Sequence, residues 1–141
     1  MKDLIERIKQ HEGFSPTVYR CPSGKQTIGY GRMIESPGGL SKNEAEILLH
    51  NDLHRIQREL YAHLPWMPQL SAIRQEVLLE MAYQLGVSGL LKFKKTLREA
   101  QRGSWQECAL EMLDSRWARQ TPGRAKELAE MMRTGDAYLP F

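Results

Sequence analysis

The chain has 141 residues, enough for one ordinary domain or for two small lobes that share an element. With 41% hydrophobic and 26% charged residues it can bury a core and stay soluble, and no apolar run is long enough to cross a bilayer as a helix. The 20 Lys and Arg against 17 Asp and Glu leave a net charge of +3, which suits an anionic polymer and is too small to indicate nucleic acid.

The N-terminus, MKDLIERIKQHEGF, mixes charge into its apolar positions and lacks the continuous apolar region of a signal peptide, so the chain is expected to stay in the cytoplasm until released. From Asp3 to Glu12, Leu4, Ile5 and Ile8 recur at helical spacing, and Gly13 is a natural stop. Between Thr17 and Gly31 the pattern changes to β-branched and aromatic residues around Pro22-Ser23-Gly24, which predicts a hairpin. Gly29 and Gly31 would weaken ideal strands there and suggest a bulge or a close backbone approach. After a Ser36-Pro37-Gly38-Gly39 loop, Ser41 to Glu44 has the form of a capping box opening a long helix through Leu60, ended by Pro65.

The rest of the pattern is helical. Ile73, Val77, Met81 and Leu85 form one stripe ending at Gly86, and a second helix runs from about Phe93 to Gln101. Ser104 to Glu107 reads as another capping box, and Thr121-Pro122 as an N-cap with proline at the first helical position. The fold class is therefore α+β and mainly helical. A small hairpin-containing lobe covers about residues 13–40 and a connecting helix about 41–63. A helical lobe follows over about 65–141, taking in the N-terminal helix, so that one domain covers 1–141. A cleft is expected where such lobes meet.

Glu12 follows Ile8 by four residues and Ile5 by seven, which puts its carboxylate on the apolar stripe. An isolated carboxylate on that face has a raised pKa and suits a general acid; the other reading is a helix-end glutamate in solvent or paired with an arginine. Cys21 stands at the lip of the hairpin turn, with Thr27 beyond it in Thr-Ile-Gly-Tyr-Gly. An acid, a polar group and a hydroxyl around one centre is the layout of an inverting glycosidase, where one group protonates the leaving oxygen and another activates water. A thiolate can polarise water, and Arg20, Lys25 and Arg32 would favour it if they point that way; alternatively Cys21 is a small hydrophobe.

At these residues the chain resembles a known family. Glu12-Gly13, eight residues to Cys21, five more to Thr27, and the frame Tyr19…Thr27-Ile28-Gly29-Tyr30-Gly31 are similar to the catalytic signature of the phage-type lysozymes, the endolysin family that includes the T-even phage lysozyme. Gln84-Leu85-Gly86, Phe93, Ser115-Arg116-Trp117 and Gln120-Thr121-Pro122-Gly123-Arg124-Ala125 resemble that family's helical lobe, and the likeness runs from about Lys2 to Tyr138. The resemblance implies a lysozyme-like fold and a muramidase that cuts the β-1,4 bond between N-acetylmuramic acid and N-acetylglucosamine in peptidoglycan. It implies Glu12 as general acid and Thr27 holding the attacking water, with Cys21 at a position that is aspartate or cysteine across the family, where it activates water, forms a transient glycosyl-thiol or acts by shape and polarity. Saccharide contacts fall on Met33, Tyr83, Thr96 and Glu111, and Arg124 matches an arginine that pairs with the catalytic glutamate.

The implied partner is the peptidoglycan glycan strand, with no cofactor, no metal, no nucleic acid and no stable membrane association, and the protein acts as a monomer. The implied setting is a phage or prophage endolysin held in the host cytoplasm until a membrane pore opens, and the lack of a separate wall-binding module points to a Gram-negative target. Two departures stand out: the segment between Met33 and Ser41 is short, and Glu111 is charged where the T-even enzyme has an amide. Rival readings are a lytic transglycosylase on the same bond and a degenerate module that binds glycan without cutting it.

Other features read more plainly. His50 and His54, four apart, lack the glutamate and third ligand of a metal motif and read as solvated helix residues. Cys21 and Cys108 are the one pair available for a disulfide, which a cytoplasmic setting disfavours. Trp66, Trp105 and Trp117 read as core side chains, and Lys92, Lys94 and Lys95 as a solvated face around Phe93. From Pro65 onward 11 basic and 9 acidic residues leave no concentrated basic face for nucleic acid.

Overall fold

The computed structural model describes residues 1–138; the last three residues of the expected helical lobe lie outside it. Two compact units divide the chain, residues 1–48 and the residues from Leu49 on. The first holds α1 (Lys2–Glu12), β1 (Ser15–Arg20), β2 (Gln26–Gly29) and β3 (Arg32–Met33), and α2 (Lys42–His63) runs across the division. The expected mainly helical α+β class is what is found, with a small three-stranded antiparallel sheet and eight α-helices among the described residues. The N-terminal helix, grouped with the helical lobe in the sequence reading, falls within the first unit.

Gly13 ends α1 as expected, at φ 71°, with its N–H donating to the Lys9 carbonyl. The apolar stripe of α1 is not buried: Leu4, Ile5 and Ile8 each remain more than 40% exposed, and Glu12 is exposed beside them. Within the first unit, no element covers that stripe among the described residues.

The hairpin is present with a third strand that the sequence pattern did not reveal. The strands run antiparallel in the order β1-β2-β3, with Tyr19 opposite Thr27 and Thr27 opposite Met33. A register shift between Ser15 and Tyr19 absorbs the irregularity that the glycines announced. The first capping box is realised in both directions: the Glu44 amide donates to Ser41 Oγ at 3.1 Å, and the Ser41 amide donates to Glu44 Oε1 at 2.9 Å. Arg32 joins it, donating to the same carboxylate oxygen at 2.9 Å and to the Gly39 carbonyl at 2.7 Å. The Ser41 amide first, and Arg32 with it, hold the Glu44 carboxyl below its ordinary range.

The second unit carries α3 (Ala72–Leu85), α4 (Val87–Leu91), α5 (Lys94–Arg102), α6 (Trp105–Leu113), α7 (Arg116–Gln120) and α8 (Pro122–Thr134), after a 3-10 turn at Met67–Gln69. Among the described residues all of the buried hydrophobic core lies here, with Leu60, Met67, Leu78, Met81, Leu90, Met112 and Met132 fully buried. Trp117 is buried, and Trp66 and Trp105 pack half-buried against that core, as their helical positions predicted.

Two expected caps are made differently. Ser104 precedes α6 without a side-chain bond, because the chain turns through Gly103 at φ 76° and the Ser104 amide closes on the Glu99 carbonyl. The Thr121 hydroxyl donates back to the Trp117 carbonyl at 3.0 Å, closing α7 rather than opening α8. Ser71 and Ser115 do cap, accepting from the amides of Arg74 and Ala118.

The far end of α8 is capped from another helix. Arg74 on α3 donates from Nε to the Met132 carbonyl at 2.8 Å and from Nη2 to the Arg133 carbonyl at 3.1 Å, with its guanidinium 3.9 Å from the centre of the Trp105 ring. This satisfies carbonyls that α8 itself leaves unpaired. Replacing Arg74 by Ala removes both bonds and the ring contact; thermal unfolding is expected to show a loss of about 1–3 kcal/mol.

Candidate active site

In the first unit the catalytic candidates are organised around one carbonyl. Pro22 and Gly24 bend the chain after Cys21, and the Gly24 amide donates to the Cys21 carbonyl at 2.8 Å. The Cys21 amide then donates to the Lys25 carbonyl at 2.9 Å. The Thr27 hydroxyl donates to that same carbonyl, also at 2.9 Å. Cys21 and Thr27 are thus brought together through Lys25. Thr27 is only 2% exposed at the centre of the row Tyr19–Thr27–Met33, so Met33 is its cross-strand neighbour.

Glu12 meets the same sheet at the turn after β2. Gly31 has φ +79°, and a Cβ placed there would stand 2.6 Å from Glu12 Oε2. The close approach that Gly31 announced in the sequence is therefore an approach to the candidate acid.

The Cys21 thiol is lowered from 9.0 to about 7, first by its contact with Ser23, whose Oγ lies 2.9 Å from Cys21 Sγ, and then by the backbone at Lys25. Two of the three cations expected to do this are engaged elsewhere: Arg20 Nη1 donates to the Gly24 carbonyl at 3.0 Å, and Arg32 is held by Gly39 and Glu44. Hydrogen bonds, not nearby positive charge, favour the thiolate. Thr27 contributes least to this shift, in keeping with its one hydroxyl proton being directed at Lys25. Ser23 is the residue that sequence reasoning passed over. Its signal was a hydroxyl two positions after the cysteine in a Pro-Gly turn, where a side chain folds back over the first residue.

In the second unit Thr96 and Glu111 are brought together and Tyr83 is not with them. Thr96, 2% exposed on α5, and Glu111, half-buried on α6, line a cleft of about 520 Å³ with Phe93 and Trp117. Those two rings meet edge to face with centroids 6.0 Å apart, and Trp117 Nε1 donates to Gln84 Oε1 at 2.9 Å. The exposed lysines Lys92, Lys94 and Lys95 rim this cleft. Tyr83, 46% exposed on α3, instead lines a depression of about 320 Å³ with Leu49 and Leu53. Arg124, matched by resemblance to a partner of the catalytic glutamate, donates from Nε to Glu80 Oε2 at 2.8 Å within its own unit. His50 and His54 are exposed on α2.

Both cysteines are free thiols. Cys108 is fully buried beneath Thr96, donating to its carbonyl at 3.3 Å, and burial pushes its thiol up to about 12. The two should separate cleanly in alkylation of the folded protein: Cys21 reacts with a midpoint near pH 7, and Cys108 stays unmodified until the chain unfolds. Equal labelling of both, read by peptide mass, would refute this.

The sequence has counterparts among known proteins. The family model for phage lysozyme matches residues 9–133 of the chain. The pre-baseplate central spike protein Gp5 of Enterobacteria phage T4 is 29% identical over an alignment of 160 residues, which takes in 94% of this chain and 28% of the spike protein. Probable T4-type lysozymes 1 and 2 of Dictyostelium discoideum are 26% and 25% identical, and each alignment takes in 96% of both chains. The chain thus spans little more than a quarter of the spike protein and nearly the whole of the two Dictyostelium proteins. With the family match covering most of its length, on the fold and hairpin described above, the chain belongs to the phage lysozyme family.

Proposed function

We propose that this protein is a muramidase of the endolysin type, which hydrolyses the β-1,4 bond between N-acetylmuramic acid and N-acetylglucosamine in bacterial peptidoglycan and so lyses the host. The observation that carries this reading is the shared Lys25 carbonyl, which sets the Cys21 backbone and the Thr27 hydroxyl side by side on the sheet whose next turn meets the Glu12 carboxyl. In this reading Glu12 gives its proton to the glycosidic oxygen as that bond breaks. The Cys21 thiolate takes a proton from water, whose oxygen bonds to the anomeric carbon from the opposite face. Thr27, with its proton committed to Lys25, accepts a hydrogen bond from that water through a lone pair. Each turnover leaves a carboxylate and a thiol, and solvent exchange restores the starting forms. Displacement by water in one step inverts the anomeric centre.

Met33, Tyr83, Thr96 and Glu111 carry the sugar contacts in this reading, supported for Thr96 and Glu111 by the cleft they share. The enzyme waits in the host cytoplasm as a monomer and meets the wall of a Gram-negative host after the membrane is permeabilised.

The deciding experiment is digestion of purified Gram-negative peptidoglycan with wild type and Glu12→Gln, with fragment ends identified by mass. Reducing muramic ends from the wild type, falling by about 100-fold or more in the variant, are expected for loss of a general acid. Anhydro-muramic ends would instead assign a lytic transglycosylase, and no fragments from either protein a binding module. The sign of the pH dependence follows from Cys21: thiolate accumulates as pH rises through about 7, so the acid limb of the rate profile rises there. Cys21→Asp should keep activity and move that limb down towards pH 4, near an ordinary aspartate. Gly31→Ala and Gly103→Ala each put a side chain at positive φ, at about 1–2 kcal/mol. Only the first drives a methyl into Glu12, so it alone should lower the hydrolysis rate at matched stability.

A further inference from the structure

We propose that Ser23 is a positioning residue for Cys21, its hydroxyl donating to the sulfur and holding it as the thiolate that activates water. This rests on the reading of Cys21 as the base. Ser23 Oγ lies 2.9 Å from Cys21 Sγ, a contact in which either atom can donate while the thiol is protonated. Once the proton has left, only the hydroxyl can donate, so the bond strengthens in the charged form.

The backbone leaves this pair little freedom. Pro22 presets its own φ, the Gly24 amide closes on the Cys21 carbonyl at 2.8 Å, and the Cys21 amide is tied to Lys25. Ser23 therefore sits in a closed turn with its side chain over the sulfur. Among the other side chains at the turn, the Thr27 hydroxyl goes to the Lys25 carbonyl and Arg20 to the Gly24 carbonyl, while the backbone at Lys25 and Ser23 also favours the thiolate.

The ionisable groups on the surrounding elements are Arg20 and Lys25 in the hairpin, Glu35 after β3 and Glu12 at the end of α1. Glu35 accepts from the Gln26 amide at 2.6 Å, and Glu12 lies against Gly31. None of these charges is among the groups that shift Cys21, whereas Ser23 acts through both its hydroxyl and its backbone.

The test follows the rate of Cys21 alkylation by iodoacetamide against pH in wild type, Ser23→Ala and Ser23→Thr, with the hydrolysis profile of each on peptidoglycan. Buried Cys108 does not compete for the reagent. In Ser23→Ala the alkylation midpoint is expected to rise from about 7 by roughly one pH unit, because the backbone donors remain. The acid limb of hydrolysis should rise equally, so that kcat at pH 6.5 falls several-fold with KM unchanged, and Ser23→Thr should restore both. A purely structural role would not move the two profiles together. An unmoved alkylation midpoint in Ser23→Ala overturns the proposal, as does a moved midpoint with an unmoved hydrolysis limb. A wild type that leaves peptidoglycan intact overturns the muramidase reading instead, and the thiol titration then decides on its own whether Ser23 holds the sulfur.

Discussion

Two protons converge on the carbonyl of Lys25, from the Cys21 amide and the Thr27 hydroxyl, each at 2.9 Å, and the chemistry of the first unit is arranged around that point. The unit has almost no core to hold its shape. Among the described residues, Thr27 is its one buried side chain, while Leu4, Ile5, Ile8, Phe14 and Val18 stay substantially exposed. A sheet this short is kept in register by hydrogen bonds and turn geometry more than by apolar burial. The bonds at Lys25 do two things at once. They close the hairpin, and they orient the thiol-bearing backbone and a hydroxyl relative to each other.

The second unit is built on the opposite principle. Its helices enclose a continuous core of Leu, Met, Val and Ala, and its polar features are placed by that packing. Thr96 is buried because α5 turns it inward onto α6, where Cys108 bonds to its carbonyl. Arg74 reaches from α3 to the end of α8, linking residues far apart in the chain. Rigid helices here provide the surface on which a cleft of about 520 Å³ can form, floored by Phe93 and Trp117 and edged by charge.

The electrostatics of the candidate site also depart from what a list of nearby charges suggests. Three basic residues, Arg20, Lys25 and Arg32, flank Cys21 in the chain, and a count of charge would credit them with its ionisation. Arg20 and Arg32 spend their donors on carbonyls and on Glu44, and a neutral hydroxyl and backbone groups favour the thiolate instead. A hydrogen bond at 2.9 Å acts on one atom, whereas an exposed cation at longer range is screened by water.

Much of this was written in the chain. The Gly13 stop, the Ser41 to Glu44 capping box, the Gly86 end of α3 and the mainly helical class follow from local rules that act within a few residues. The family was legible too, because the spacing of Glu12, Cys21 and Thr27 lies within one short segment. What escaped depended on contacts that no local pattern encodes. The stripe on α1 finds no cover within the first unit among the described residues, since periodicity marks an apolar face without saying what packs on it. The two-residue strand β3 and the short helix α4 fell below the length at which a period can be counted. Ser104 and Thr121 carried capping chemistry but found closer partners set by the turns around them. By itself, then, the sequence determined the elements, their punctuation and the residues able to do chemistry, since each depends on neighbours along the chain. Only the tertiary structure decided which carbonyl, hydroxyl or carboxylate each of those residues meets, because those partners come together only when turns and packing fix distances in space.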